Sequence, residues 1–457
     1  MASTYLTRTL GNPTNAYKGT LSWWQKGMNV SSTQYILACE SGSERQLWYG
    51  SAGAFQGGLR GTSSPPDIDF TLSGTPKFRD TSGWYHCVLA WDTTLSTGSD
   101  RYKYYVNGVE FTISGSGSSS TIPQNHVMPM NKNGLPFRIG STIGGGSYFE
   151  GIMSHIHFCD GTQYQASDFG ETDSTTGEWK IKTDPSVTYG NNGFWWLKDT
   201  NAATDSSPNS NTPTIGGTLT KTEDCPNNVF ATFNALAKHG TTTSNQSDFL
   251  KNGNTTFYTP SDNNARKGLF LTSLGATSGK YYCEYKQGGG DRLITGICNA
   301  NIFAATNEPY VNSNQSALLY LEVNSEIKYD GANYSTGIQS GTSGDIFGFA
   351  LDLDNKHWYI HKNGTYFNSG DPTSGSTGTG SIIAATSTSA YFNHGEMFFC
   401  AGDFDNGSYA TSEWNFGNGY FGTTAVSSAG TNASNLGIFE YDVPTGYTAL
   451  CTKGLNE

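Results

Sequence analysis

Acidic residues are the first place to look for chemistry in this chain. Glycan hydrolysis needs two carboxyl groups that face each other across a groove, about 5 to 5.5 Å apart for a retaining reaction. The nearest run is DIDFTLS, Asp67 to Ser73, which supplies two aspartates and no further acid. The sequence also has no Gly-x-Ser-x-Gly turn and no phosphate-binding loop. We therefore predict that the protein is not an enzyme.

Two short acidic runs offer the closely spaced oxygen atoms that calcium prefers. They are DLD, with Asp352 and Asp354, and GDFDNG, with Asp403 and Asp405. Turn formation explains aspartates in such runs equally well, because the carboxylate bonds to nearby backbone N–H groups. We expect no metal site and no cofactor.

The eight histidines show neither an H-x-x-H nor an H-E-x-x-H pattern. His155 and His157 are two apart and His357 and His361 are four apart, so each pair shares one face of a strand. We interpret both pairs as surface or half-buried strand residues rather than metal ligands.

Sugar binding is compatible with the composition, because sugar rings stack their C–H faces on aromatic rings while amides and carboxylates bind the hydroxyl groups. Several aromatic residues lie beside turn residues and are candidate ligand-binding residues. They are Trp48, Tyr49, Tyr310, Tyr391 and Phe392. The alternative is that these aromatics are ordinary strand or rim residues.

Two pairs of adjacent tryptophans raise a packing question. Trp23 and Trp24 lie in TLSWWQKG, and Trp195 and Trp196 lie in GFWWLKD. Neighbouring residues on a strand point to opposite faces of the sheet, so one indole of each pair lies outside the core. We predict that this outer indole packs against a neighbouring domain or subunit, with an open platform as the alternative.

The composition indicates a folded protein built from strands. Of 457 residues, 57 are glycine, 13% are aromatic and only 14% are charged, whereas disordered chains lack aromatics and carry charge. The net charge is −12 without any Lys/Arg cluster, so we expect no nucleic-acid partner. We also expect no membrane insertion and see no secretory signal, since no long apolar run occurs.

The eight cysteines are scattered, without any CxxC pair, and indicate neither a disulfide framework nor a zinc site. Cys87, Cys283 and Cys400 lie inside apolar runs. We expect them to be buried free thiols in a protein that folds under reducing conditions.

Short runs rich in aromatic and β-branched residues alternate with polar turns along the chain and predict an all-β fold. Asn107-Gly108 and Asn363-Gly364 each lie between two such runs, as in a tight β-hairpin. The polar stretch 201–228, which contains three prolines, predicts a linker. We therefore expect two antiparallel β-sandwich (jelly-roll) domains in series, over 1–200 and 229–457.

Segments of the first half resemble the laminin-G-like branch of the concanavalin A-like lectin/glucanase superfamily. They are YKGTLSWWQKG, GWYHCVLAWD, YKYYVNGVEF and FRIGSTIGGGSYFEGIMSHIHFCDG. The resemblance implies a concanavalin A-like sandwich. Its glucanase members carry Glu-x-Asp-x-x-Glu on one strand, a motif that this sequence lacks.

The second half is similar to a SPRY domain. The similarity lies in SGKYYCEY (Ser278 to Tyr285), in Gly344 to Gly370, and in EWNFGNGYF (Glu413 to Phe421). It implies a second two-sheet sandwich.

The order of these parts, ending in YDVPTGYTALCTKGLNE, resembles exterior proteins of tailed phages of marine bacteria. The resemblance implies a virion protein, assembled in the host cytoplasm, that serves as a tail fibre, spike or capsid-attached decoration. Its expected partners are other virion proteins, a host cell-surface glycan or receptor, and further copies of itself in a homo-oligomer. Two alternatives stay open: a purely architectural adaptor, and a glycan-cleaving enzyme.

Overall fold

The structure is a computed structural model of the chain. It describes residues 3–27, 32–41, 44–51, 54–60, 68–72, 78, 80–114, 122–198, 203–220, 222–239, 249–259, 269–290, 292–304, 317–329, 332–336, 338–382, 391–403 and 409–456. The chain divides into two units, Met1–Lys221 and Thr222–Glu457.

The strands of the first unit are short and rich in aromatic and β-branched residues. They are β1 (Tyr5–Thr9), β2 (Lys18–Lys26), β3 (Gln34–Ser41), β4 (Glu44–Ser51), β5 (Ala54–Arg60), β6 (Ile68–Leu72), β7 (Tyr85–Asp92), β8 (Tyr102–Val106), β9 (Val109–Phe111), β10 (Ile113–Ser114), β11 (Pro136–Ile139), β12 (Ile152–Asp160), β13 (Gly170–Thr172), β14 (Trp179–Ile181), β15 (Phe194–Trp196) and β16 (Thr214–Gly216).

Two antiparallel sheets form the sandwich of the first unit. One has the order β10-β6-β5-β4-β3-β11-β1-β16 and the other β15-β12-β2-β7-β8-β9. Inward side chains of both sheets meet in one core, which includes Trp23, Phe137, Phe158 and Trp196. Each large aromatic removes about 150 to 250 Å² of surface from water, which makes these residues the main source of core stability.

The second unit contains the remaining strands. They are β17 (Phe233–His239), β18 (Leu250–Lys251), β19 (Thr256–Thr259), β20 (Leu269–Thr272), β21 (Lys280–Gln287), β22 (Leu293–Asn299), β23 (Ala317–Leu321), β24 (Glu326–Tyr329), β25 (Ala332–Thr336), β26 (Ile346–Asp352), β27 (His357–Lys362), β28 (Thr365–Tyr366), β29 (Met397–Asp403), β30 (Ala410–Asn415), β31 (Tyr420–Phe421), β32 (Thr424–Ala425) and β33 (Thr448–Ala449).

The second unit is also a two-sheet sandwich. Its sheets have the orders β17-β20-β29-β22-β23-β24-β25 and β18-β19-β30-β21-β26-β27-β28, and β33 pairs with β21 in parallel. The core between them includes Tyr285, Phe347, Trp358 and Trp414. The predicted fold class, two antiparallel β-sandwiches in series, is confirmed.

Helices are short within the described residues. The one α-helical turn, α1, spans Ala166–Phe169. The 3-10 turns are Gly98–Asp100, Pro129–Asn131, Ala300–Ala304, Glu322–Asn324, Phe367–Ser369, Gly375–Thr377, Tyr391–Asn393 and Gly454–Asn456. In the part of the chain that is described, no helix has the length and apolar character to cross a membrane.

In each unit, the chain itself covers the outer face of one sheet. In the first unit, α1, the β13–β14 ribbon and the residues around Tyr189 pack on outward side chains of β7, β8 and β12, including Val88 and Cys159. In the second unit, residues 436–451 pack on outward side chains of β21, β26 and β27, including Tyr282. An antiparallel sheet is commonly wet on one face, and these faces are not.

Both predicted Asn-Gly hairpins are confirmed. Asn107 and Gly108 join β8 to β9, and Asn363 and Gly364 join β27 to β28, all four with positive φ. Each asparagine side chain also accepts a hydrogen bond from the neighbouring strand, at 2.8 Å from the backbone N–H of His86 or Ile346.

Residues 203–216 belong to the first unit. β16 pairs with β1 at the edge of the larger sheet, and the carboxylate of Asp205 accepts hydrogen bonds from the backbone N–H groups of Trp195 and Asn211. The boundary between the units follows Lys221. Residues 203–216 of the predicted linker over 201–228 are therefore not a solvated connection, because they pair with β1 and bond to β15.

All eight cysteines are free thiols, and seven of them are buried. Cys87, Cys283 and Cys400 lie inside strands, as predicted, and burial raises the pKa of each thiol above its ordinary value.

Candidate functional site

The paired tryptophans point to opposite faces of the sheet, as predicted, but they do not form an interface. Trp23 and Trp196 lie in the core, whereas Trp24 and Trp195 lie on the outer face that the chain covers. Both outer indoles are 4% exposed in the single chain. An assembly has no indole surface left to cover, so the predicted interface role of these four residues is wrong.

His86 shows how the outer face is filled. Its ring is stacked between Trp24 and Trp179, with centroids 4.8 and 5.9 Å away. The indole N–H of Trp179 donates to Nδ1 at 3.0 Å, so Nε2 carries the proton and donates to Ser22 Oγ at 2.8 Å. Burial lowers the pKa of His86 to about 3. Because Nε2 is protonated, His86 cannot act as a general base toward Ser22.

The histidines that share strand faces are buried, which corrects their interpretation as surface or half-buried residues. His155, His157, His357 and His361 are all 4% exposed or less. A β-bulge between Ser154 and His157 breaks the even spacing in the first pair. Burial lowers the pKa of His157, whose Nδ1 lies 3.0 Å from Tyr189 Oη.

Glu284 has the raised pKa that a general acid would need, but it cannot reach a substrate. Burial raises the pKa of this carboxyl group to about 7. Its oxygens accept hydrogen bonds from the backbone N–H groups of Glu440 and Tyr441, at 2.8 Å each, and from Tyr282 Oη at 2.9 Å. The side chain is fully enclosed. Glu284 therefore fixes residues 440–441 to the sheet.

The acidic runs considered for calcium hold structural bonds. Asp352 forms an ion pair with Lys280 at 2.8 Å, Asp354 accepts from the N–H of Gly279, and Asp403 accepts from Thr259 Oγ1. Asp67 and Asp405 lie outside the described residues. Elsewhere in the described ranges, no three His, Cys, Asp or Glu side chains are grouped so that they could hold a metal ion.

The predicted ligand-binding aromatics gain no support. Tyr391 is fully buried and donates to the carbonyl of Ile297 at 2.7 Å, and Phe392 packs on the same core. The prediction for Tyr391 is therefore wrong. The side chains of Trp48 and Tyr49, and the whole of Tyr310, lie outside the described residues.

A small hollow in the first unit is also unsuited to a sugar. It is lined by residues that include Gln25, Phe78 and Tyr85 and has a volume of about 10 Å³. This is room for about one water molecule.

Asp160, the last residue of β12, organises the loops at one end of the first sandwich. Its carboxylate accepts four hydrogen bonds of 2.6 to 3.2 Å, from the backbone N–H groups of Thr14, Asn15 and Asn192 and from the side-chain amide of Asn131. An ionised carboxylate has about four acceptor positions, so all of them are used. Loops from three distant parts of the chain are thereby held together.

Four loops at this end each contribute two asparagines. In each loop one asparagine side chain bonds within the unit and the other is exposed. The inward residues are Asn15, Asn131, Asn192 and Asn211, and the exposed residues are Asn12, Asn133, Asn191 and Asn209. We call the four exposed residues the asparagine rim.

Hydrogen bonds join the four loops into one surface. The side-chain amide of Asn133 donates to Asn12 Oδ1 at 2.7 Å, and that of Asn211 donates to the carbonyl of Asn191 at 2.8 Å. The side-chain amide of Asn209 donates to the carbonyl of Gly190 and, at 2.9 Å, to that of Gly193. The side-chain amide of Asn191 donates to the carbonyl of Asn12 at 3.4 Å and so links the two pairs of loops. The rim is therefore built before any ligand arrives, which lowers the entropy cost of binding.

Tyr17 adds an exposed aromatic residue just after the loop of Asn12 and Asn15. Its backbone N–H donates to Asn15 Oδ1 at 3.0 Å, and its side chain is 36% exposed. A side-chain amide both donates and accepts hydrogen bonds, and so does a sugar hydroxyl. An exposed amide row with one aromatic ring is thus chemically matched to a polyhydroxylated ligand.

Sequence reasoning missed this surface, although a signal was present. The four loops read GNPTN, PMNKNG, YGNNG and PNSN, each with two asparagines within four residues. Aromatic residues beside turns were weighted instead, and the recurrence of paired asparagines was not.

One family model matches a stretch of the first unit. Residues 2–167 match a family model, Laminin_G_3, of the concanavalin A-like lectin/glucanases superfamily. This stretch of the first unit is thus similar to the concanavalin A-like domains of that superfamily. The match covers about a third of the chain and includes two loops of the rim, around Asn12 and Asn133. A comparison with curated proteins finds no match.

Three solved structures are similar to parts of the chain. The SPRY domain of human HERC1 has 17% identity, covers 32% of this chain and 80% of its own, and has a TM-score of 0.24. A heptameric SAP-like pentraxin from Limulus polyphemus has 20% identity, coverages of 35% and 71%, and a TM-score of 0.25. A putative carbohydrate binding protein from Bacteroides ovatus has 14% identity, coverages of 47% and 57%, and a TM-score of 0.29. Scores this low add nothing on function.

Proposed function

We propose that the protein is a non-catalytic glycan-binding protein and that the asparagine rim, with Tyr17, is its binding surface. The observation that carries this proposal is the set of four asparagine pairs at one end of a concanavalin A-like sandwich, three of them held by Asp160 and the fourth by Asp205. One residue of each pair bonds within the unit and the other is exposed to solvent. This is the division between supporting and contacting residues that a rigid binding site needs.

The glycan-cleaving alternative has less support. Hydrolysis needs an accessible pair of carboxyl groups. In the described part of the second unit, the strongly raised carboxyl pKa belongs to Glu284, which residues 440–441 enclose. The enzyme hypothesis would return if the protein released sugars from a polysaccharide and one acidic substitution abolished that release.

We further propose that the chain is a virion protein on the exterior of a tailed phage, where it contacts other virion proteins and host-surface glycan as a homo-oligomer. The support is the order of the sequence motifs: a laminin-G-like half, a SPRY-like half, and the C-terminal stretch. Mass spectrometry and antibody labelling of purified particles test this. A chain absent from the particles would contradict the virion role. An architectural adaptor would be present on the particles without binding glycan.

A glycan array with the full-length chain tests the binding function. We expect binding that falls at least tenfold in Tyr17→Ala and in Asn191→Ala, whose side-chain amide makes one long hydrogen bond of 3.4 Å to a backbone carbonyl.

Two matched variants control for surface changes. Tyr409→Ala removes a tyrosine that is 39% exposed in the second unit. Asn435→Ala removes an exposed asparagine whose amide also makes one 3.4 Å bond to a backbone carbonyl. Both should bind like the wild type. Equal losses in all four variants, or no binding by the wild type, would contradict the proposed function.

A further inference from the structure

We infer that the asparagine rim recognises an uncharged glycan and does so without a metal ion. The inference rests on the proposed function of the rim and adds the chemical class of its ligand. It follows from the hydrogen bonds and ion pairs that the charged side chains around the rim already form.

The carboxylate beneath the rim is closed to a cation. All four hydrogen bonds to Asp160 come from N–H groups, namely three backbone amides and the amide of Asn131. Calcium requires several oxygen ligands, mostly carboxylates and carbonyls. A cation beside Asp160 would face the hydrogen atoms of these donors, and it would have to break bonds that hold three loops.

Asp205, the carboxylate next to Asn209 and Asn211, is used in the same way. It accepts hydrogen bonds from the backbone N–H groups of Trp195, Ser207 and Asn211, and from Ser207 Oγ. Two carboxylates at this end of the sandwich are thus saturated by donors of the protein itself.

Three cationic side chains at this end of the sandwich are also engaged. Arg8 directs Nη2 at Asn211 Oδ1 at 2.5 Å. Arg101 is 9% exposed and directs Nε, Nη1 and Nη2 at the backbone carbonyls of Leu95, Ile122 and Ser96, at 2.7 to 2.9 Å. Lys18 forms an ion pair of 2.8 Å with Asp92. An acidic sugar needs a guanidinium or ammonium group for its carboxylate or sulfate, and the groups of Arg8, Arg101 and Lys18 already have partners.

The net charge of the chain and the carboxylates near Tyr189 also disfavour the binding of an anionic ligand. The net charge of the chain is −12. Burial raises the pKa of the Tyr189 phenol, and the negative charges of Asp205 and Asp184 nearby raise it further. A negative local field lowers the concentration of anionic ligands at the surface. The rim is therefore suited to hydrogen bonds between its neutral amide groups and the hydroxyl groups of an uncharged sugar.

Binding of the full-length chain to neutral, uronic-acid-containing, sialylated and sulfated oligosaccharides tests the inference. Each is measured with about 2 mM Ca²⁺ or with excess EDTA, because extracellular calcium modules bind at about 10⁻⁴ to 10⁻³ M. We expect binding to neutral members that changes less than about twofold with EDTA and is lost in Asn191→Ala. A thermal-shift titration with CaCl₂ alone should leave the melting temperature of the first unit unchanged.

The outcomes separate this inference from the proposed function. Binding that is lost in EDTA, or that selects acidic glycans, would overturn the inference, while its sensitivity to Asn191→Ala would keep the rim as the site. Binding to none of the four classes would remove the proposed function and the inference together. A calcium-dependent rise in melting temperature would contradict the metal-free rim even if no glycan bound.

Discussion

Trp179 lies against Gly108, at the tip of the first Asn-Gly hairpin, so closely that a Cβ atom on Gly108 would stand 2.5 Å from the indole ring. In the second unit, Tyr441 lies in the same way on Gly364, where a Cβ would stand 2.9 Å from the phenol ring. Both aromatics come from the segments that cover the outer sheet face. The glycine of each hairpin therefore serves the turn and also provides the place where the covering segment docks.

The first prediction separates these two roles of glycine. Gly108 has φ +79° with Trp179 against it, whereas Gly134 has φ +80° and a Cβ atom there would meet nothing within 4 Å. Gly134→Ala should lower the free energy of unfolding of the first unit by about 1 to 2 kcal/mol, the cost of a left-handed backbone. Gly108→Ala should lower it by a further ~1 to 3 kcal/mol, because the ring must move. Urea denaturation measures both, and equal losses would refute the docking role.

The second prediction concerns the protonation of two buried histidines. His86 and His361 each accept an N–H at Nδ1, from Trp179 at 3.0 Å and from the backbone of Gly364 at 3.1 Å. Burial lowers both pKa values to about 3. Imidazole ¹⁵N NMR should therefore find both rings neutral at about pH 5, with the proton on Nε2. A charged imidazole signal for either residue at that pH would count against the structure of the covered face.

The lowered pKa values of His86 and His361 also determine how the free energy of unfolding changes with pH. Between pH 6.5 and about 3 the unfolded chain binds a proton at each of these histidines and the folded chain does not. Stability is therefore complete above pH 6.5 and falls as the pH is lowered. Each histidine should reduce the free energy of unfolding of its unit by about 1.4 kcal/mol per pH unit in this window.

The third prediction concerns Glu284, whose contribution to stability changes with pH in the opposite direction. Burial raises the pKa of Glu284 from 4.5 to about 7, so between these values the folded protein keeps a proton that the unfolded chain has lost. The contribution of Glu284 to stability is complete below pH 4.5 and falls as the pH rises, by about 1.4 kcal/mol per pH unit. Glutamine does not titrate. The difference in unfolding free energy between Glu284→Gln and the wild type should thus shift in favour of the variant from pH 4.5 to about 7.

Denaturation of both proteins at several pH values checks this slope. Glu178→Gln, which removes an exposed carboxyl group in the first unit, controls for the loss of one negative charge. Parallel stability curves for wild type and Glu284→Gln would show that the carboxyl group is ionised throughout this range, held by its N–H donors.

The sequence predicted strands, hairpins and the two-sandwich architecture because these follow from local alternation and from the φ preferences of Asn and Gly. The correspondence between the two units was harder to see. The similar runs GWYHC and GKYYC suggest that Cys87 and Cys283 are equivalent. The strand of Cys87, β7, pairs with the hairpin strand β8. The strand of Cys283, β21, does not pair with the hairpin strand β27, which pairs with β26 instead.

The ion pairs show the actual correspondence. Lys18 stands directly opposite Asp92 on β2 and β7, and Lys280 stands directly opposite Asp352 on β21 and β26, each with its charged groups 2.8 Å apart. β2 thus corresponds to β21, and β7 to β26. A cross-strand pair of this kind depends on register, which no short motif of the sequence reveals.

The burial of the outer sheet face could not be predicted from the sequence either, because it depends on contacts between distant segments. The alternation of Trp23 and Trp24 shows that one indole leaves the core, but not what lies over it. The cover comes from α1, the β13–β14 ribbon and nearby residues, which are polar in sequence and contribute single aromatics such as Trp179. The asparagine rim has the same origin, since four loops far apart in sequence meet only in the folded sandwich.

The last prediction tests whether residues 203–216 belong to the fold of the first unit. Asp205 accepts three hydrogen bonds from within this segment and one from the backbone N–H of Trp195 in β15, and Asp205→Ala would leave that N–H without its acceptor. The loss should lower the free energy of unfolding of the first unit by about 2 kcal/mol. Limited proteolysis should cleave the variant within 203–216 much faster than the wild type.

Asp173→Ala is the matched control, because the carboxylate of Asp173 also accepts backbone N–H bonds, from Thr175 and Thr176, but within its own turn of the β13–β14 ribbon. It should leave cleavage at 203–216 at the wild-type rate. A solvated linker would be cut readily in the wild type, and Asp205→Ala would not change that rate. Equal cleavage of wild type and Asp205→Ala would therefore support the interpretation of this segment as a linker. It would also mean that Asn209 is not held in a preformed rim.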